Sequence, residues 1–362
     1  MNVGIVTQPL CANYGGVLQN YALQYVLRSL NVSPITLDLQ THLNVPYWDY
    51  LKEYFKYCIK KYILRWNAKI LPYNQVRPSV FNDFVDKYIS ITETFHKYSS
   101  ELIDKYDLDC LIVGSDQVWR PMYNVYPEAM FLDFAKSRKI KKIAYAASFG
   151  VDIWELSPQL TDKARILVSD FDAVSVREYS GIKLCKDYLN VKAINVLDPT
   201  LLLDKSVYDE LAKDVPRSKN DYIAIYTLDI TNDVEEKIKT YANNKGLKIK
   251  RFTSDDGLSL SIPEWIASIR DAALVITDSF HGTAFSIVYN KEFYSVNNRG
   301  RGASRFESLL SELSLSNRLI DSNQFVIRDN ECHISWDKVN QKREFLKSLS
   351  VDFLRQSLDC KD

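Results

Sequence analysis

The feature that most constrains this chain is a repeated alternation of short β-rich runs with stretches of helical apolar spacing. The first run, Val3 to Thr7, is followed by a helical pattern over residues 17–30, and further runs stand at 111–113, 143–147 and 173–176. Parallel strands need long crossover connections, which are usually helices. The alternation therefore predicts an α/β chain with parallel sheets and helices on both faces of each sheet.

The chain of 362 residues is long enough for two domains. A polar stretch over 204–221 contains Pro216 and lacks a strong apolar period, so it predicts a linker. We expect a Rossmann-like domain over 1–205, a second one over 219–325, and a helical tail over 326–362. Two such domains facing a cleft resemble the GT-B architecture of glycosyltransferases, in which a terminal helix can cross back to the first domain.

Charge and composition exclude several classes of protein. The chain has 46 Lys and Arg against 46 Asp and Glu, whereas a nucleic-acid-binding protein must neutralise many phosphates. Six scattered cysteines form no C-x-x-C pair, the N-terminus lacks a signal-peptide pattern, and no run approaches the ~20 apolar residues of a membrane span. We predict a cytoplasmic protein without a nucleic-acid partner.

The most specific local pattern is the segment 277–284, in which a strand, a turn and a helix start follow one another. Unpaired backbone N–H groups of the first helical turn, near Gly282 and Thr283, favour an anion. Ser279 precedes them, and His281 can contact a phosphate or move a proton. The alternative is an ordinary capped helix with a structural histidine.

Other polar side chains also follow predicted strands. Arg177 and Glu178 end one strand and suit anion binding with acid or base chemistry, although a surface ion pair is an alternative. Asp116 follows another strand and can accept a hydroxyl proton or bind a sugar hydroxyl. Arg301 and Arg305 lie in a basic cluster that can bind carboxylate or phosphate, or simply form a solvated loop.

No metal is predicted. Two Asp-x-Asp pairs, at 107–109 and 170–172, precede strands instead of following them, and the four histidines show no ligand spacing.

Residues 50–66 carry an apolar stripe at helical spacing with lysines on the other face. This pattern predicts either a helix packed on the first domain or an interfacial helix that touches a membrane surface. The second interpretation would suit an enzyme whose acceptor is linked to a lipid.

Six short motifs occur in order along the chain. They are 13–20 (Asn-Tyr-Gly-Gly-Val-Leu-Gln-Asn), 114–119 (Gly-Ser-Asp-Gln-Val-Trp), 145–150, 175–178 (Ser-Val-Arg-Glu), 198–200 (Asp-Pro-Thr) and 279–283 (Ser-Phe-His-Gly-Thr). With these motifs the chain resembles the polysaccharide pyruvyl transferase family, especially its members from bacterial capsule and exopolysaccharide pathways. The resemblance covers most of residues 1–320.

The resemblance implies a GT-B-like fold and phosphoenolpyruvate as donor, with no further cofactor. The pyruvyl group becomes a ketal on two sugar hydroxyls, with galactose 4,6-hydroxyls as the expected pair, and phosphate leaves. We expect the first domain to bind the acceptor and the second the donor. The expected catalytic residues are His281, Asp116 and Glu178, the donor-binding residues Arg177, Ser279, Gly282, Thr283, Arg301 and Arg305, and the acceptor-binding residues Asn13, Tyr14, Gly15, Gln117 and Trp119.

One motif departs from the family pattern. Many members carry Arg-Leu-His-Gly where this chain has Ser279-Phe280-His281-Gly282. We infer that Arg301 or Arg305 supplies the missing cation.

Two other functions remain open from the sequence. One is a glycosyltransferase that uses a nucleotide sugar on the same fold, and the other is a non-catalytic polysaccharide-binding protein. The form of the acceptor is also open: it can be polymeric, nucleotide-linked or linked to a lipid diphosphate, and the last form would place the protein at the inner face of the membrane.

Overall fold

The structure is a computed structural model of the chain. It describes residues 1–11, 13–40, 55, 58, 77–124, 126–227, 231–252, 260–297, 302–327 and 333–360.

The N-terminal half of the chain forms a six-stranded parallel sheet in the order β2-β1-β3-β4-β5-β6. Its strands are β1 (Asn2–Val6), β2 (Ser33–Thr36), β3 (Cys110–Asp116), β4 (Lys141–Ala147), β5 (Ala173–Val176) and β6 (Ile194–Asn195). Every residue of β3 is buried, as expected for a central parallel strand covered on both faces.

In the described part of the chain, five helices connect these strands. They are α1 (Tyr14–Ser29), α2 (Ser79–Tyr88), α3 (Glu101–Lys105), α4 (Pro158–Val168) and α5 (Tyr179–Leu184). The side chain of Asn13 caps α1 by accepting a hydrogen bond from the backbone N–H of Gly16 at 2.5 Å. The polar cap fixes the start of α1 at the carboxyl end of β1.

The second sheet has five parallel strands in the order β11-β10-β9-β7-β8. They are β7 (Tyr222–Tyr226), β8 (Lys248–Arg251), β9 (Leu274–Thr277), β10 (Glu292–Asn297) and β11 (Leu319–Asp321). Its helices are α6 (Lys205–Leu211), α7 (Asn232–Lys245), α8 (Ile262–Arg270), α9 (Phe280–Val288) and α10 (Ser304–Glu312), and α11 (Trp336–Ser357) ends the chain.

Short helical turns complete the described chain. The 3₁₀ turns are Pro121–Tyr123, Pro127–Phe131, Asp133–Ala135, Pro199–Leu201, Ser316–Arg318 and Ser322–Gln324, and one π turn spans Cys185–Leu189.

The terminal helix α11 returns to the first sheet, as the GT-B resemblance predicts. The hydroxyl of Ser350 on α11 accepts a hydrogen bond from the backbone N–H of Leu197 at 2.9 Å. The ring of Phe353 lies 6.2 Å from that of Tyr145 on β4. Two parallel α/β layers with a helix that crosses back confirm the predicted fold class.

The predicted linker contains a helix. In α6 the side chains of Tyr208 and Leu211 are buried, and the Tyr208 hydroxyl donates to the carbonyl of Thr200 at 2.9 Å. The ring of Tyr208 packs 4.7 Å from that of Phe285 on α9. Two apolar positions three residues apart therefore bury one face of a short helix between the two sheets, a pattern too brief to stand out in the sequence.

Among the described residues, none of the helices is both long enough and apolar enough to span a membrane.

Candidate functional site

Arg177 links two aspartates at the carboxyl edge of the first sheet. It follows β5, and its Nη1 donates to Oδ2 of Asp198 at 2.7 Å while its Nη2 donates to Oδ1 of Asp116 at 3.1 Å. Arg177 and both carboxylates are buried. The sequence analysis assigned Arg177 to the donor, but both of its terminal nitrogens are engaged by carboxylates in this structure. Its position is therefore that of a cation that holds two strand ends together.

The two carboxylates are ionised in this setting. Burial by itself raises the pKa of Asp116, but the charges of Arg177, His281 and Arg305 outweigh it and hold that pKa below the usual value. Burial likewise opposes ionisation of Asp198, and His281, Arg177 and Thr200 together hold its pKa far below the usual range. The site thus contains two fixed negative charges.

Asp198 was not among the predicted site residues. Its Oδ1 accepts from the backbone N–H and the hydroxyl of Thr200, at 3.0 and 2.7 Å, and so caps the 3₁₀ turn 199–201. Its Oδ2 accepts from the hydroxyl of Ser115 at 3.0 Å as well as from Arg177. The Asp-Pro-Thr motif after a short strand was the available signal, but only the fold shows that this carboxylate faces Arg177.

His281 comes from the second domain and meets this carboxylate. Its Nε2 lies 3.7 Å from Oδ2 of Asp198, an ion-pair distance, and has no hydrogen-bond partner among the described residues. The imidazole is buried beside two carboxylates and is placed to carry a proton.

The start of α9 differs in one respect from the prediction. Ser279 caps the helix as expected, but its hydroxyl accepts from the N–H of Gly282 at 3.4 Å and its carbonyl accepts from the N–H of Thr283 at 3.1 Å. Gly282 and Thr283 are therefore already paired. The helix begins one turn earlier than expected, so the amides of Phe280 and His281 are the groups that precede the first helical hydrogen bond.

Gly15 at the start of α1 packs against the other side of the imidazole. A Cβ added to Gly15 would lie 2.0 Å from Nδ1 of His281, closer than any side chain allows. Asn13, the half-buried cap of α1, stands two residues away. Gly15, a predicted acceptor residue, thus lies beside His281 and has a clear physical role there, which is to admit the ring.

Phe280 brings a second arginine into the site. The guanidinium of Arg177 lies 4.5 Å from the centroid of its ring, and that of Arg305 on α10 lies 5.8 Å away. Burial and the charge of Arg177 lower the pKa of the Arg305 guanidinium to about 10. Its Nε has no hydrogen-bond partner, and no carboxylate among the described residues forms an ion pair with it. Arg305 is therefore a buried cation whose charge is not neutralised by contact.

Glu178 holds a turn. Its Oε1 accepts from the hydroxyl of Ser148 at 3.1 Å and from the backbone N–H groups of Phe149 and Gly150 at 2.7 and 3.0 Å. The residue is fully buried. The structure gives this predicted acid or base a positioning role. Gly150, which has a positive φ of 75°, also packs against the second domain, because a Cβ on Gly302 would lie 1.9 Å from its carbonyl oxygen.

Two of the predicted acceptor residues are buried in packed layers, and their role in acceptor binding stays a prediction. The indole of Trp119 is buried, stacks on Phe131 at 5.5 Å, and donates to the carbonyl of Met130 at 2.9 Å. Tyr14 is also buried and its ring stacks on Trp265 at 5.6 Å. Both side chains fill space between packed layers.

Gln117 is half-buried beside the site, and its Oε1 accepts from Nη1 of Arg120 at 3.3 Å. Arg301 lies outside the described residues, and so does the segment 50–66 apart from Phe55 and Cys58. In the described part of the chain, no group of three or more His, Cys, Asp or Glu side chains is placed to hold a metal ion.

Two parallel α/β sheets, with charged side chains from both meeting at their carboxyl edges, define a two-domain protein of the GT-B-like class. The chain belongs to the polysaccharide pyruvyl transferase family, whose sequence model matches residues 13–300. It is therefore a transferase of the pyruvyl class. No curated protein matches the chain.

Solved structures share the fold at low sequence identity. MnaA of S. aureus, solved with UDP, has a TM-score of 0.53 at 8% identity, with 99% of this chain and 97% of that chain covered. A UDP-N-acetylglucosamine 2-epimerase from Rickettsia bellii has a TM-score of 0.45 at 11% identity, with both chains covered completely at 100%. The UDP-GlcNAc 2-epimerase from Neisseria meningitidis, bound to UDP-GlcNAc, has a TM-score of 0.47 at 10% identity and 99% coverage of each chain. The MnaA similarity supports the fold and nothing finer.

Proposed function

We propose that this protein transfers the pyruvyl group of phosphoenolpyruvate to two hydroxyls of a sugar, releases phosphate, and acts in capsule or exopolysaccharide synthesis. The observation that carries the proposal is the buried guanidinium of Arg305, which forms no ion pair among the described residues and lies beside the start of α9 and the imidazole of His281. A buried cation without a carboxylate partner is costly unless an anionic ligand completes it.

The donor has both a carboxylate and a phosphate. Arg305 offers planar donors that suit either group. The amides of Phe280 and His281 lie at the positive end of the α9 dipole and suit whichever of the two anionic groups Arg305 does not bind. Arg177 contributes its charge from behind the Phe280 ring while its nitrogens stay on the two aspartates. Arg305 therefore takes the role that the sequence analysis shared among several arginines.

His281 suits the proton transfers of the reaction. A proton added to the methylene carbon of phosphoenolpyruvate leaves a cationic carbon beside oxygen, and a sugar hydroxyl attacks that carbon and gives up its proton, which restores the acid. The carbon–oxygen bond to phosphate then breaks, the second hydroxyl closes the ketal, and the proton of this second hydroxyl goes to the released phosphate. The carboxylate of Asp198, 3.7 Å from Nε2, stabilises the imidazolium that must supply the first proton.

Asp116 and Asp198 divide the remaining work. Asp116 is placed at the end of β3, where a carboxylate can anchor or deprotonate an acceptor hydroxyl, while Arg177 keeps it ionised. Asp198 orients His281 and is itself held by Thr200 and Ser115. The acceptor is then expected between α1 and the edge of the first sheet, with the 4- and 6-hydroxyls of galactose as the pair to test first.

A ³¹P NMR time course tests the reaction. The protein is incubated with phosphoenolpyruvate and a panel of galactosides that includes one lipid diphosphate-linked acceptor. We expect inorganic phosphate to appear only when an acceptor is present, and the active acceptor to gain a pyruvyl ketal. Absence of phosphate release with every acceptor, together with no effect of phosphoenolpyruvate on the melting temperature, would contradict the proposal.

A glycosyltransferase that uses a nucleotide sugar on the same fold is the second candidate. The start of α9 could hold a diphosphate as well as phosphoenolpyruvate. This candidate predicts release of a nucleotide and no dependence on phosphoenolpyruvate. A non-catalytic polysaccharide-binding protein predicts binding without any product and unchanged binding when His281 is replaced.

A further inference from the structure

A cavity of about 470 Å³ opens between the two domains beside the candidate site. Tyr179 and Ser180 at the start of α5 form one wall, and Ser304 and Ser308 on α10 form the other. The backbone N–H of Tyr179 donates to the hydroxyl of Ser308 at 2.9 Å, so the two walls are joined. Ser304 directly precedes Arg305 in the chain, which places the cavity next to the proposed donor site.

Five serines line this cavity, together with Leu310 and Leu319. Its lining includes Ser180, Ser304, Ser308, Ser311 and Ser316. The hydroxyl oxygens of Ser180 and Ser304 are buried and have no hydrogen-bond partner among the described residues. Ser311 and Ser316 are exposed, so their hydroxyls are the ones that a ligand hydroxyl can reach.

The charge of the cavity selects against anions. Asp152 and Glu307 line it, and no lysine or arginine among the described residues does. Phosphoenolpyruvate or a diphosphate would be repelled here, whereas a neutral ligand with many hydroxyl donors would find carboxylate and serine acceptors. Serine hydroxyls and carboxylates without a cation are the chemistry expected for a neutral saccharide.

The cavity continues past Tyr179 into a second one of about 470 Å³, which Tyr179, Glu312, Lys342 and Phe345 line. The absence of a cation therefore applies to the first cavity, and Lys342 stands at the far end of the second. The Tyr179 hydroxyl donates to Oε1 of Glu312 at 2.7 Å, which fixes the ring between the two cavities. The side chains of Tyr179 and Phe345 are 50% and 63% exposed. Exposed aromatic faces offer flat apolar surface to the C–H face of a sugar ring. We call the two cavities together the serine groove.

We propose that the serine groove binds the sugar units of the acceptor glycan that lie beyond the unit receiving the pyruvyl group. The proposal rests on the proposed function for the identity of the acceptor as a glycan. Each cavity falls within the roughly 300–1,000 Å³ typical of ligand sites, and the groove begins next to Arg305. The groove therefore selects long acceptors over single sugars.

Isothermal titration tests the groove without turnover. The probes are linear neutral oligosaccharides of galactose, glucose and mannose in increasing length, together with the methyl glycosides of the single sugars. For at least one series we expect the longest member to bind about tenfold or more tightly than the single sugar, a difference of about 1.4 kcal/mol. If no series gains affinity with length, the proposal is wrong.

Two variants locate the gain. Ser311 is exposed, and its hydroxyl donates to the carbonyl of Ser308 three residues earlier, so Ser311→Trp fills the groove. Tyr179→Ala removes the ring that lies between the two cavities. Both should lose the dependence of affinity on length. The matched controls are Ser29→Trp, an exposed serine that donates to the carbonyl of Val26 in the same way, and Tyr25→Ala, an exposed tyrosine on α1.

The controls should keep the gain in affinity with length. If Ser311→Trp and Tyr179→Ala also keep the gain in affinity with length, the oligosaccharide binds elsewhere and the proposal for the serine groove is wrong. Phosphate release from phosphoenolpyruvate with a methyl glycoside is measured separately on the unaltered protein. Turnover without a length effect would refute the groove alone, whereas length-dependent binding without any use of phosphoenolpyruvate would refute the proposed function alone.

Discussion

Gly15 of the first domain lies directly against the imidazole of His281 from the second domain. A Cβ at position 15 would stand 2.0 Å from Nδ1 of that ring. The opposite ring nitrogen lies 3.7 Å from Oδ2 of Asp198. The imidazole is therefore held between a backbone without a side chain and a buried carboxylate, and the contact ties the two domains together at the candidate site.

Gly15→Ala should displace His281. Overpacking of a filled site typically costs about 1–3 kcal/mol, and a shift of a catalytic group by about 1 Å can cost about 10²-fold in rate. We expect a lower melting temperature and a kcat reduced by at least tenfold. The matched control is Gly16→Ala, because a Cβ there would meet nothing closer than Oδ1 of Asn13 at 3.4 Å. Equal activities of the two variants would show that the contact does not matter.

Arg177→Met should act mainly on stability. It leaves Asp116 and Asp198 buried without their cation, and breaking a buried pair costs about 3–5 kcal/mol. Urea unfolding measures this loss. The control Arg165→Met removes an exposed pair with Asp162, for which about 0–1 kcal/mol is expected. A stable Arg177→Met protein that only loses donor affinity would return Arg177 to the direct donor-binding role predicted from the sequence.

The charge of Asp198 should make stability depend on pH. Its pKa is lower in the folded protein than in the unfolded chain, so the ionised form stabilises the fold. This stabilisation is fully present above the unfolded carboxyl value of about 3.8 and is lost as the pH falls toward the folded-state value. The stability difference between the unaltered protein and Asp198→Asn, from urea unfolding, should narrow as the pH is lowered through this range.

Asp162→Asn provides the comparison for this measurement. Asp162 is exposed and, among the described residues, forms an ion pair with Arg165 alone, so its replacement should change stability little at any pH. A difference for Asp198→Asn that stays constant with pH would contradict the assignment of Asp198 as a buried, ionised carboxylate.

His281→Gln should remove the proton carrier. Loss of a general acid or base typically costs about 10²–10⁴-fold in rate. We expect kcat to fall in this range while the affinity for phosphoenolpyruvate, measured by its effect on the melting temperature, changes little. His333→Gln is the control, since His333 is 95% exposed and far from the site in the sequence. A His281→Gln variant with normal kcat would exclude the ring from the reaction.

The layer architecture could be predicted because each strand and helix has its own local pattern. The predicted strand over 173–176 agrees with the structure at both ends, and strand ends at Asp116 and Arg177 do meet at one edge. The short helix α6 was missed because it has only two buried apolar positions, Tyr208 and Leu211, and both face the interface between the sheets. Such an interface leaves little periodic signal in either domain.

The partners within the site could not be predicted in the same way. Arg177 faces Asp116 and Asp198 because of the order of the strands in the sheet. Strand order and register depend on contacts between residues that are distant in the sequence, so no local sequence pattern predicts them. The neighbouring Glu178 points to a turn and binds its backbone N–H groups, so adjacent charged residues have different roles. Tryptophan is a residue type that can contact sugars, and only the structure shows that Trp119 is buried in the core.

Arg305 is proposed as the cation that binds the anionic groups of phosphoenolpyruvate. Arg305→Met replaces a buried charge that has no carboxylate partner among the described residues, so the variant should fold at least as stably as the unaltered protein. Its affinity for phosphoenolpyruvate should nevertheless fall by about 2–5 kcal/mol, because a charge-assisted contact is lost.

Isothermal titration of phosphoenolpyruvate into the unaltered protein and into Arg305→Met measures this claim most directly, with the melting temperature of each protein recorded in parallel. The account predicts clear binding to the unaltered protein and little or none to a variant of equal or higher melting temperature. Equal affinity of the two proteins, or no binding by either, would contradict it.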